Sequence, residues 1–178
     1  MKKVLILSAS PRKHGNSDTL CDRLAQGARE SGNAVEKVFL AEKNIGYCRG
    51  CGICNTTHRC PQKDDMAKIL DKMVKADVIV LATPVYFYSI NGQMKTLIDR
   101  TVPKYTEICN KEFYFIMTAA DTEKSHLERT METFRGFTED CLDGAAEAGI
   151  IWGTGMWQIG DVQNTPAYNE AYELGRHI

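Results

Sequence analysis

Short apolar runs alternate along the chain with longer amphipathic segments, and this alternation limits the possible folds more than any other feature. The runs are Val4–Ser8, Ala34–Leu40, Asp77–Ala82, Phe113–Ala119 and the segment opening at Gly149–Trp152. A strand buried on both faces of a parallel sheet appears as a continuous apolar run. Strands that alternate with helices form right-handed β-α-β units. The sequence therefore predicts an α/β fold with a doubly wound, five-stranded parallel sheet and helices on both faces.

Helices are predicted between the strands from apolar periodicity and from helix start signals. The predicted starts are Asn16 or Ser17 as a cap, Asp64 or Asp65, Asn91, Ser125 and Thr165-Pro166. The helix from Ser125 is expected to reach about Ala148, and Gly175 is expected to stop the last helix. No internal repeat or linker interrupts this pattern. Residues 1–178 are therefore predicted to form one domain, with a cysteine-rich loop inserted at about 46–62.

Composition excludes several classes of partner. The formal net charge of −1 provides no general attraction to phosphate backbones, so we expect no nucleic acid partner. No segment approaches the roughly 20 apolar residues of a membrane span, so no membrane association is expected. The apolar run Val4–Leu7 is too short for a secretory signal and is followed by Arg12 and Lys13. We therefore expect a cytoplasmic protein.

The loop after the first strand is rich in hydroxyl, amide and cationic groups. The segment SASPRKHGNSDTL contains Arg12 and leads into the predicted helix start at Asn16. A helix N-terminus offers free N–H groups and a partial positive charge, and an arginine can add a two-pronged contact. Ligands of doubly wound sheets bind beyond the carboxyl ends of the strands. We interpret this loop as a phosphate site, and a solvated turn is the alternative.

Two better-known phosphate loops are absent. The motif G-x-x-x-x-G-K-[ST] is excluded because Gly15 is the only glycine in the stretch. The motif G-x-G-x-x-G is excluded because Gly50-Cys51-Gly52 is followed by Asn55 where the third glycine belongs.

Three consecutive aromatic residues follow the strand at Asp77–Ala82. Tyr86, Phe87 and Tyr88 come directly after the turn at Pro84, where no periodicity requires them. They are compatible with a core position, but a flat aromatic ligand explains both their location and their concentration. A phosphate at one loop and a flat ring at the next describe a mononucleotide such as FMN.

These two loops also carry a family resemblance. The segments S-x-S-P-R-x-x-G-N-S, from Ser8 to Ser17, and TPVYF…NGQMKTLIDR, from Thr83 to Arg100, resemble the NADPH-dependent FMN reductase family of flavodoxin-like proteins. The match is closest to the iron-sulfur flavoprotein branch of that family. The resemblance runs from the first strand to Arg100 and resumes weakly in the last helix.

The resemblance implies a flavodoxin-like sheet with strand order 2-1-3-4-5 and non-covalently bound FMN. By matching positions, the phosphate would be held by Ser10, Arg12, Asn16, Ser17 and Thr19. The isoalloxazine ring would be lined by Pro84, Val85, Tyr86 and Phe87, with the loop at Ala119–Asp121 on its other side. The resemblance also implies a homodimer or homotetramer, and the helix starting near Asn91 is our candidate for the contact.

Four of the seven cysteines are clustered in the pattern Cys-x2-Cys-x2-Cys-x5-Cys, formed by Cys48, Cys51, Cys54 and Cys60. In a reducing compartment such a group binds metal or does redox chemistry more often than it forms structural disulfides. Zinc sites usually pair two Cys-x2-Cys knuckles across a longer loop. The resemblance implies a 4Fe-4S cluster, with free or disulfide-forming thiols and zinc as the alternatives. The remaining Cys21, Cys109 and Cys141 are expected to be core residues.

The function expected from these features is an FMN-dependent NAD(P)H oxidoreductase that passes electrons through flavin to a small-molecule or protein acceptor. An electron carrier without nicotinamide turnover is the second hypothesis, and a metal-binding or redox-sensing module is the third. Flavin supplies the reactive chemistry, so we name no catalytic side chain. His14, His58 and His126 are expected at the surface or at helix ends.

Overall fold

Strands and helices alternate in the computed structural model, which describes all residues Met1–Ile178. The strands are β1 (Lys3–Ser8), β2 (Ala34–Phe39), β3 (Val78–Tyr86), β4 (Ser89–Ile90), β5 (Glu112–Thr118) and β6 (Ala146–Gly153). The α-helices are α1 (Asn16–Glu30), α2 (Cys54–Thr57), α3 (Met66–Lys75), α4 (Gly92–Asp99), α5 (Glu128–Cys141) and α6 (Pro166–Arg176). No helix combines the length and the apolar character needed to cross a membrane.

The main sheet is parallel and has the order β2-β1-β3-β5-β6. Because β4 is a two-residue strand paired antiparallel with β3 outside this path, the order is the predicted 2-1-3-4-5. The winding direction reverses between β1 and β3, which are neighbours in the sheet. The loops that follow β1 and β3 therefore meet at the same edge.

Successive side chains of the strands enter two apolar layers. Leu5 and Leu7 pack on one face with residues of α3, α4 and α5. Val4 and Ile6 pack on the other face with residues of α1 and α6. On this second face, a Cβ added at Gly27 would lie 2.2 Å from the Tyr172 carbonyl oxygen. Glycine is therefore required there for the close approach of α1 to α6.

Element boundaries differ from the prediction in the C-terminal half. The helix predicted to reach Ala148 ends at Cys141, and β6 starts at Ala146 rather than at Gly149. The helix ends because the backbone becomes extended at Leu142, with φ of −112° and ψ of 120°, and the left-handed Gly144 then turns the chain towards β6. Gly175 does not stop α6 but lies inside it, where an added Cβ would be 2.1 Å from the Leu24 carbonyl oxygen.

Two local predictions are also corrected. Asn16 and Ser17 lie in the first turn of α1 rather than capping it, since the N-cap is Gly15 and no side chain fills that role. Of the three scattered cysteines, Cys21 is buried in the core, but Cys109 is only partly buried and Cys141 is exposed. Cys141 is the last residue of α5 and lies beyond the apolar face of that helix.

Candidate functional site

The loop from Ser10 to Gly15 is folded by its own backbone. The Ser10 hydroxyl donates to the Arg12 carbonyl at 2.8 Å and accepts from the Arg12 amide at 3.2 Å. The Gly15 amide donates to the same carbonyl at 3.0 Å. This tight turn directs the chain into α1 at the carboxyl end of β1. It leaves the guanidinium of Arg12 exposed at the mouth of the loop.

The first turn of α1 presents unpaired donors. The amides of Asn16, Ser17 and Asp18 donate to no acceptor in the chain, although each residue is at most 3% exposed. Three buried N–H groups at a helix N-terminus, with the partial positive charge of the helix behind them, form an anion site. The arrangement therefore fits a phosphate group.

Asn16 has a second role that the sequence did not indicate. Its side-chain nitrogen donates to the Gln158 carbonyl at 2.9 Å, and its side-chain oxygen accepts from the Gly160 amide at 3.2 Å. These bonds hold the loop after β6 against the anion loop. As a result, Trp157 lies beside Arg12, whose Nη1 is 3.5 Å from the Trp157 carbonyl oxygen.

Thr19 lies one turn further along α1. Its hydroxyl donates to the His14 carbonyl at 3.3 Å, so it supports the anion loop from within the helix. The neighbouring Asp18 carboxylate also contacts this loop, because it accepts from the His14 amide at 3.1 Å. It accepts from the Ser8 hydroxyl at 2.9 Å and pairs with Lys37 at 3.0 Å. This pairing limits repulsion between the carboxylate and an anion at the start of α1.

The chain leaves β3 through a hairpin with an aromatic tip. Val85 pairs with Ile90 and Tyr86 pairs with Ser89, so Phe87 and Tyr88 form a two-residue turn. Both have positive φ, at 50° and 59°. In two-residue hairpin turns, asparagine and glycine are the residues that usually adopt this conformation. Phe87 is 102% exposed. The turn is therefore strained by two aromatic residues that gain little from burial.

Buried hydrogen bonds fix this hairpin to the anion loop. Asn91 caps α4 by accepting from the Met94 amide at 3.1 Å, and its side-chain nitrogen donates to the Ala9 carbonyl at 2.6 Å. The Thr83 hydroxyl lies 3.2 Å from the Asn91 side-chain oxygen. Asn91 is 1% exposed. One side chain thus connects the end of β1, the end of β3 and the start of α4.

A cavity of about 280 Å³ lies between these loops. Its walls come from the ends of four elements: Arg12, Asn16, Pro84, Val85, Tyr86, Thr118, Ala119, Ala120, Met156 and Trp157. Six of these residues were predicted from the sequence. Ser10, Ser17 and Thr19 surround the adjoining helix start, whereas Phe87 points into solvent and does not line the cavity. Ala120 belongs to the predicted loop Ala119–Asp121, whereas Thr118, Met156 and Trp157 were not predicted.

Two grooves of nearly twice this volume lie elsewhere. One, of about 500 Å³, runs beside the end of β2, and its wall includes Lys13, Lys37 and Lys72. These lysines are paired with acidic side chains, as in the 3.1 Å contact between Lys13 and Glu42. The other, of about 530 Å³, borders the cysteine segment. The cavity of about 280 Å³ combines the unpaired amide of Asn16 with the aromatic side chains of Tyr86 and Trp157, so it is the better candidate for a nucleotide.

The outer rim of the cavity contains a polar network. His126 Nδ1 lies 2.8 Å from an Asp121 carboxylate oxygen, to which the Tyr88 hydroxyl donates at 3.4 Å. The pKa of Asp121 is lowered by the backbone N–H of Glu123 and by His126. His126 is exposed, as expected from the sequence. The network ties the tip of the hairpin to the loop after β5.

The cysteine segment is an exposed loop with little regular structure. Cys48 and Cys51 are exposed, while Cys54 and Cys60 are partly buried, and none forms a disulfide. Gly50 and Gly52 have positive φ, at 62° and 72°. Positive φ at both glycines turns the chain tightly between the first three cysteines. The donor set of four thiols therefore fits an iron-sulfur cluster.

The sulfurs do not converge on one point as ligands of a single ion do. Only His14, Asp18 and Asp22 bring three potential ligand atoms within 4.8 Å of one another. The ammonium group of Lys37 lies 3.0 Å from Asp18 and 2.5 Å from Asp22, so it already compensates their charge. A cluster gives each thiolate its own iron and does not require the thiolates to meet at one point. The four thiols are therefore not arranged as a preformed site for a single zinc ion.

A doubly wound parallel sheet, an anion site at the first helix and an aromatic hairpin beside it define a mononucleotide-binding domain of the flavodoxin type. The chain belongs to the NADPH-dependent FMN reductase family, whose sequence profile matches residues 2–137. The resemblance inferred from the two loops is thereby confirmed.

Individual relatives agree with this assignment. An iron-sulfur flavoprotein of Archaeoglobus fulgidus is 44% identical over 103 residues, which are 58% of this chain and 46% of the relative. The chain spans about half the length of the curated relatives that it matches.

Solved structures share the fold at low sequence identity. The NAD(P)H:quinone oxidoreductase from Methanothermobacter marburgensis superposes with a TM-score of 0.78 at 16% identity, covering 99% of this chain and 95% of that one. An FMN-dependent NADH-azoreductase from Bacillus anthracis, in complex with FMN, gives a TM-score of 0.74 at 15% identity, covering 99% of both chains.

Proposed function

We propose that the chain is an FMN-dependent NAD(P)H oxidoreductase that passes electrons from reduced nicotinamide to a small-molecule or protein acceptor. The observation that supports this most directly is the cavity between the first turn of α1 and the hairpin after β3. It joins three unpaired buried amides to an aromatic wall, as a phosphorylated flat ring system requires.

The phosphate is proposed to bind at the start of α1. The amides of Asn16, Ser17 and Asp18 would receive it, and the exposed Arg12 guanidinium would add charge-assisted hydrogen bonds. Ser10 and Thr19 would act mainly by shaping the loop, since both hydroxyls donate to its carbonyls.

The ring system is proposed to lie against the end of β3. Pro84, Val85 and Tyr86 would contact one side, and Ala119 would approach from the end of β5. Met156 and Trp157 would exclude water from the remaining side. Phe87 is proposed as a more distant contributor, because it does not line the cavity. Bound FMN supplies the redox chemistry, and these residues bind it and orient it.

The cysteine loop is proposed to hold a 4Fe-4S cluster through Cys48, Cys51, Cys54 and Cys60. The two positive-φ glycines and the absence of disulfides support this assignment. A second function is favoured by the exposure of Cys48 and Cys51. A cluster held at the surface suits an electron carrier that exchanges electrons with protein partners, with no nicotinamide turnover.

The proposal also covers the domain organisation, the oligomeric state and the location of the protein. Residues 1–178 are proposed to form one flavin-binding domain, with the cysteine-rich insertion at about 46–62. We also propose a homodimer or homotetramer that uses α4, and a cytoplasmic location.

The test is anaerobic purification followed by mixing with NADH or NADPH. The protein is expected to carry FMN, iron and acid-labile sulfide, and the flavin absorption band is expected to bleach within the mixing time. Slow bleaching by both nucleotides, together with rapid reduction by a reduced protein carrier, would favour the carrier. A colourless protein that takes up no FMN would refute both.

A further inference from the structure

Arg100, the residue after α4, is a buried cation. It is 2% exposed, and its only acidic partner is the 7% exposed side chain of Asp64. Nη1 donates to one Asp64 oxygen at 2.7 Å and Nη2 donates to the other at 3.0 Å. Such a two-pronged pair fixes the relative position of both side chains. The partners are 36 residues apart in the sequence, so the pair joins α4 to a distant loop.

The same pair holds the two ends of the cysteine segment together. Arg100 Nη1 also donates to the Gly46 carbonyl, and Asp64 accepts from the Gly46 amide at 3.1 Å. Gly46 lies two residues before Cys48, and Asp64 lies four residues after Cys60. The chain therefore enters and leaves the cysteine segment at a single guanidinium group.

One donor of this group remains unused. Arg100 Nε is buried and has no hydrogen-bond partner. Burial lowers the pKa of Arg100, but the pair with Asp64 and, more weakly, the neighbouring Cys60 sulfur raise it above its ordinary value. An unpaired buried N–H is unfavourable, so the burial of Arg100 depends on the hydrogen bonds that its other two nitrogens make to Asp64 and Gly46.

We propose that Arg100 is a positioning residue for the cysteine site: together with Asp64 it closes both ends of the segment from Gly46 to Asp64. The consequence for a bound metal rests on the proposed iron-sulfur cluster. Metal binding and ordering of the loop that holds the metal are coupled. Arg100 would therefore slow the loss of a cluster from this segment. Through α4, it would also hold the cluster at a fixed distance from the hairpin of the flavin cavity.

The experiment compares the wild type with the double variant Arg100→Gln/Asp64→Asn, which leaves no lone charge buried. The control is Arg59→Gln, which removes an exposed arginine directly before Cys60 and leaves the Arg100 pair intact. FMN content verifies that each variant is folded. In metal-free protein, amide hydrogen exchange of residues 46–64 is expected to be faster in the double variant and unchanged in the control.

After anaerobic reconstitution with iron and sulfide, release of iron to a chelator is expected to be roughly tenfold faster or more in the double variant. Unchanged exchange would refute the closure of the loop. An iron-release rate equal to that of Arg59→Gln would refute the contribution of this closure to holding the cluster.

A wild type that takes up no iron would refute the proposed cluster and, with it, the effect of the closure on iron release. The closure of the loop would then be judged by exchange in the metal-free protein. Faster exchange in the double variant would support it, and unchanged exchange would overturn it.

Discussion

The anion loop, from Ser10 to Gly15, and the cysteine segment, from Gly46 to Asp64, are held in place differently. The anion loop lies at the carboxyl end of a central strand, and the buried side chains of Asn16 and Asn91 attach its two flanks to two other parts of the chain. The cysteine segment contains only the four-residue helix α2, and most of its residues are exposed. Its firm attachment is at its two ends, through Arg100 and Asp64.

This difference implies different states before the ligands bind. A cavity whose walls are fixed by hydrogen bonds and core packing is preorganised, so little ordering opposes FMN binding. A loop held only at its ends gains much of its order from the metal that it binds, because metal binding and folding are coupled. Loss of flavin should therefore leave the fold intact, whereas loss of iron should loosen the cysteine segment alone.

The largest effect is expected from Asn91→Ala. This change removes the cap of α4 and leaves the Ala9 carbonyl and the Thr83 hydroxyl with fewer partners in a buried region. We expect a loss of roughly 2–4 kcal/mol in the free energy of unfolding, from the cap and the unsatisfied groups together. Urea unfolding of the FMN-free protein measures it, and weaker FMN binding should accompany the loss.

The matched control is Asn55→Ala, which truncates an exposed asparagine in the cysteine segment. A change of less than about 0.5 kcal/mol is expected there, since exposed positions contribute little. Similar losses in the two variants would show that the two regions are anchored alike.

An intermediate effect, on ligand content, is expected from Arg12→Ala. Loss of a charge-assisted contact to phosphate should weaken FMN binding by roughly tenfold to a hundredfold, with little effect on apoprotein stability because Arg12 is exposed. Fluorescence titration with FMN measures the affinity. Lys13→Ala is the control, because Lys13 is paired with Glu42.

Cys54→Ser is the counterpart in the other region. It should reduce iron content and leave FMN affinity unchanged. Equal losses of flavin in Arg12→Ala and Cys54→Ser would contradict the assignment of separate ligands to the two regions.

The fold was predictable because its main determinants are local. Consecutive residues are enough to show the apolar runs of β1, β3 and β5 and the periodicity of α1 and α3. The sheet order followed from the family resemblance. The boundary between α5 and β6 was predicted wrongly because the apolar pattern continues beyond Cys141, whereas the backbone becomes extended at Leu142. Apolar periodicity does not show where the backbone leaves the helical conformation.

The candidate site was predictable in part for the same reason. Arg12, Pro84 and Tyr86 follow strand ends, and parallel strands bring such residues to one edge. Met156 and Trp157 reach the cavity because Asn16 binds the Gln158 carbonyl, 142 residues away in the sequence. Likewise, nothing in the sequence marks Arg100 as buried, since its burial depends on Asp64. The missed residues are those whose positions depend on long-range polar contacts.

The smallest effect is expected at the tip of the hairpin. Replacing Phe87-Tyr88 by Asn-Gly supplies the residues that prefer two successive positive φ angles. Relief of strain should stabilise the FMN-free protein by about 1 kcal/mol. The gain is reduced by the loss of the hydrogen bond from the Tyr88 hydroxyl to Asp121. Because Phe87 does not line the cavity, FMN affinity should change little in the single variant Phe87→Asn.

Urea unfolding and FMN titration of the single and double variants test this expectation. A protein that is more stable but oxidises NADPH more slowly with FMN bound would indicate that the strained aromatic tip serves the reaction partner rather than the fold. A protein that is less stable would contradict the strain itself. It would mean that the Phe87 and Tyr88 rings stabilise the hairpin by more free energy than their backbone conformation costs. Each of the two cofactor regions would then include a loop that is held mainly by side chains.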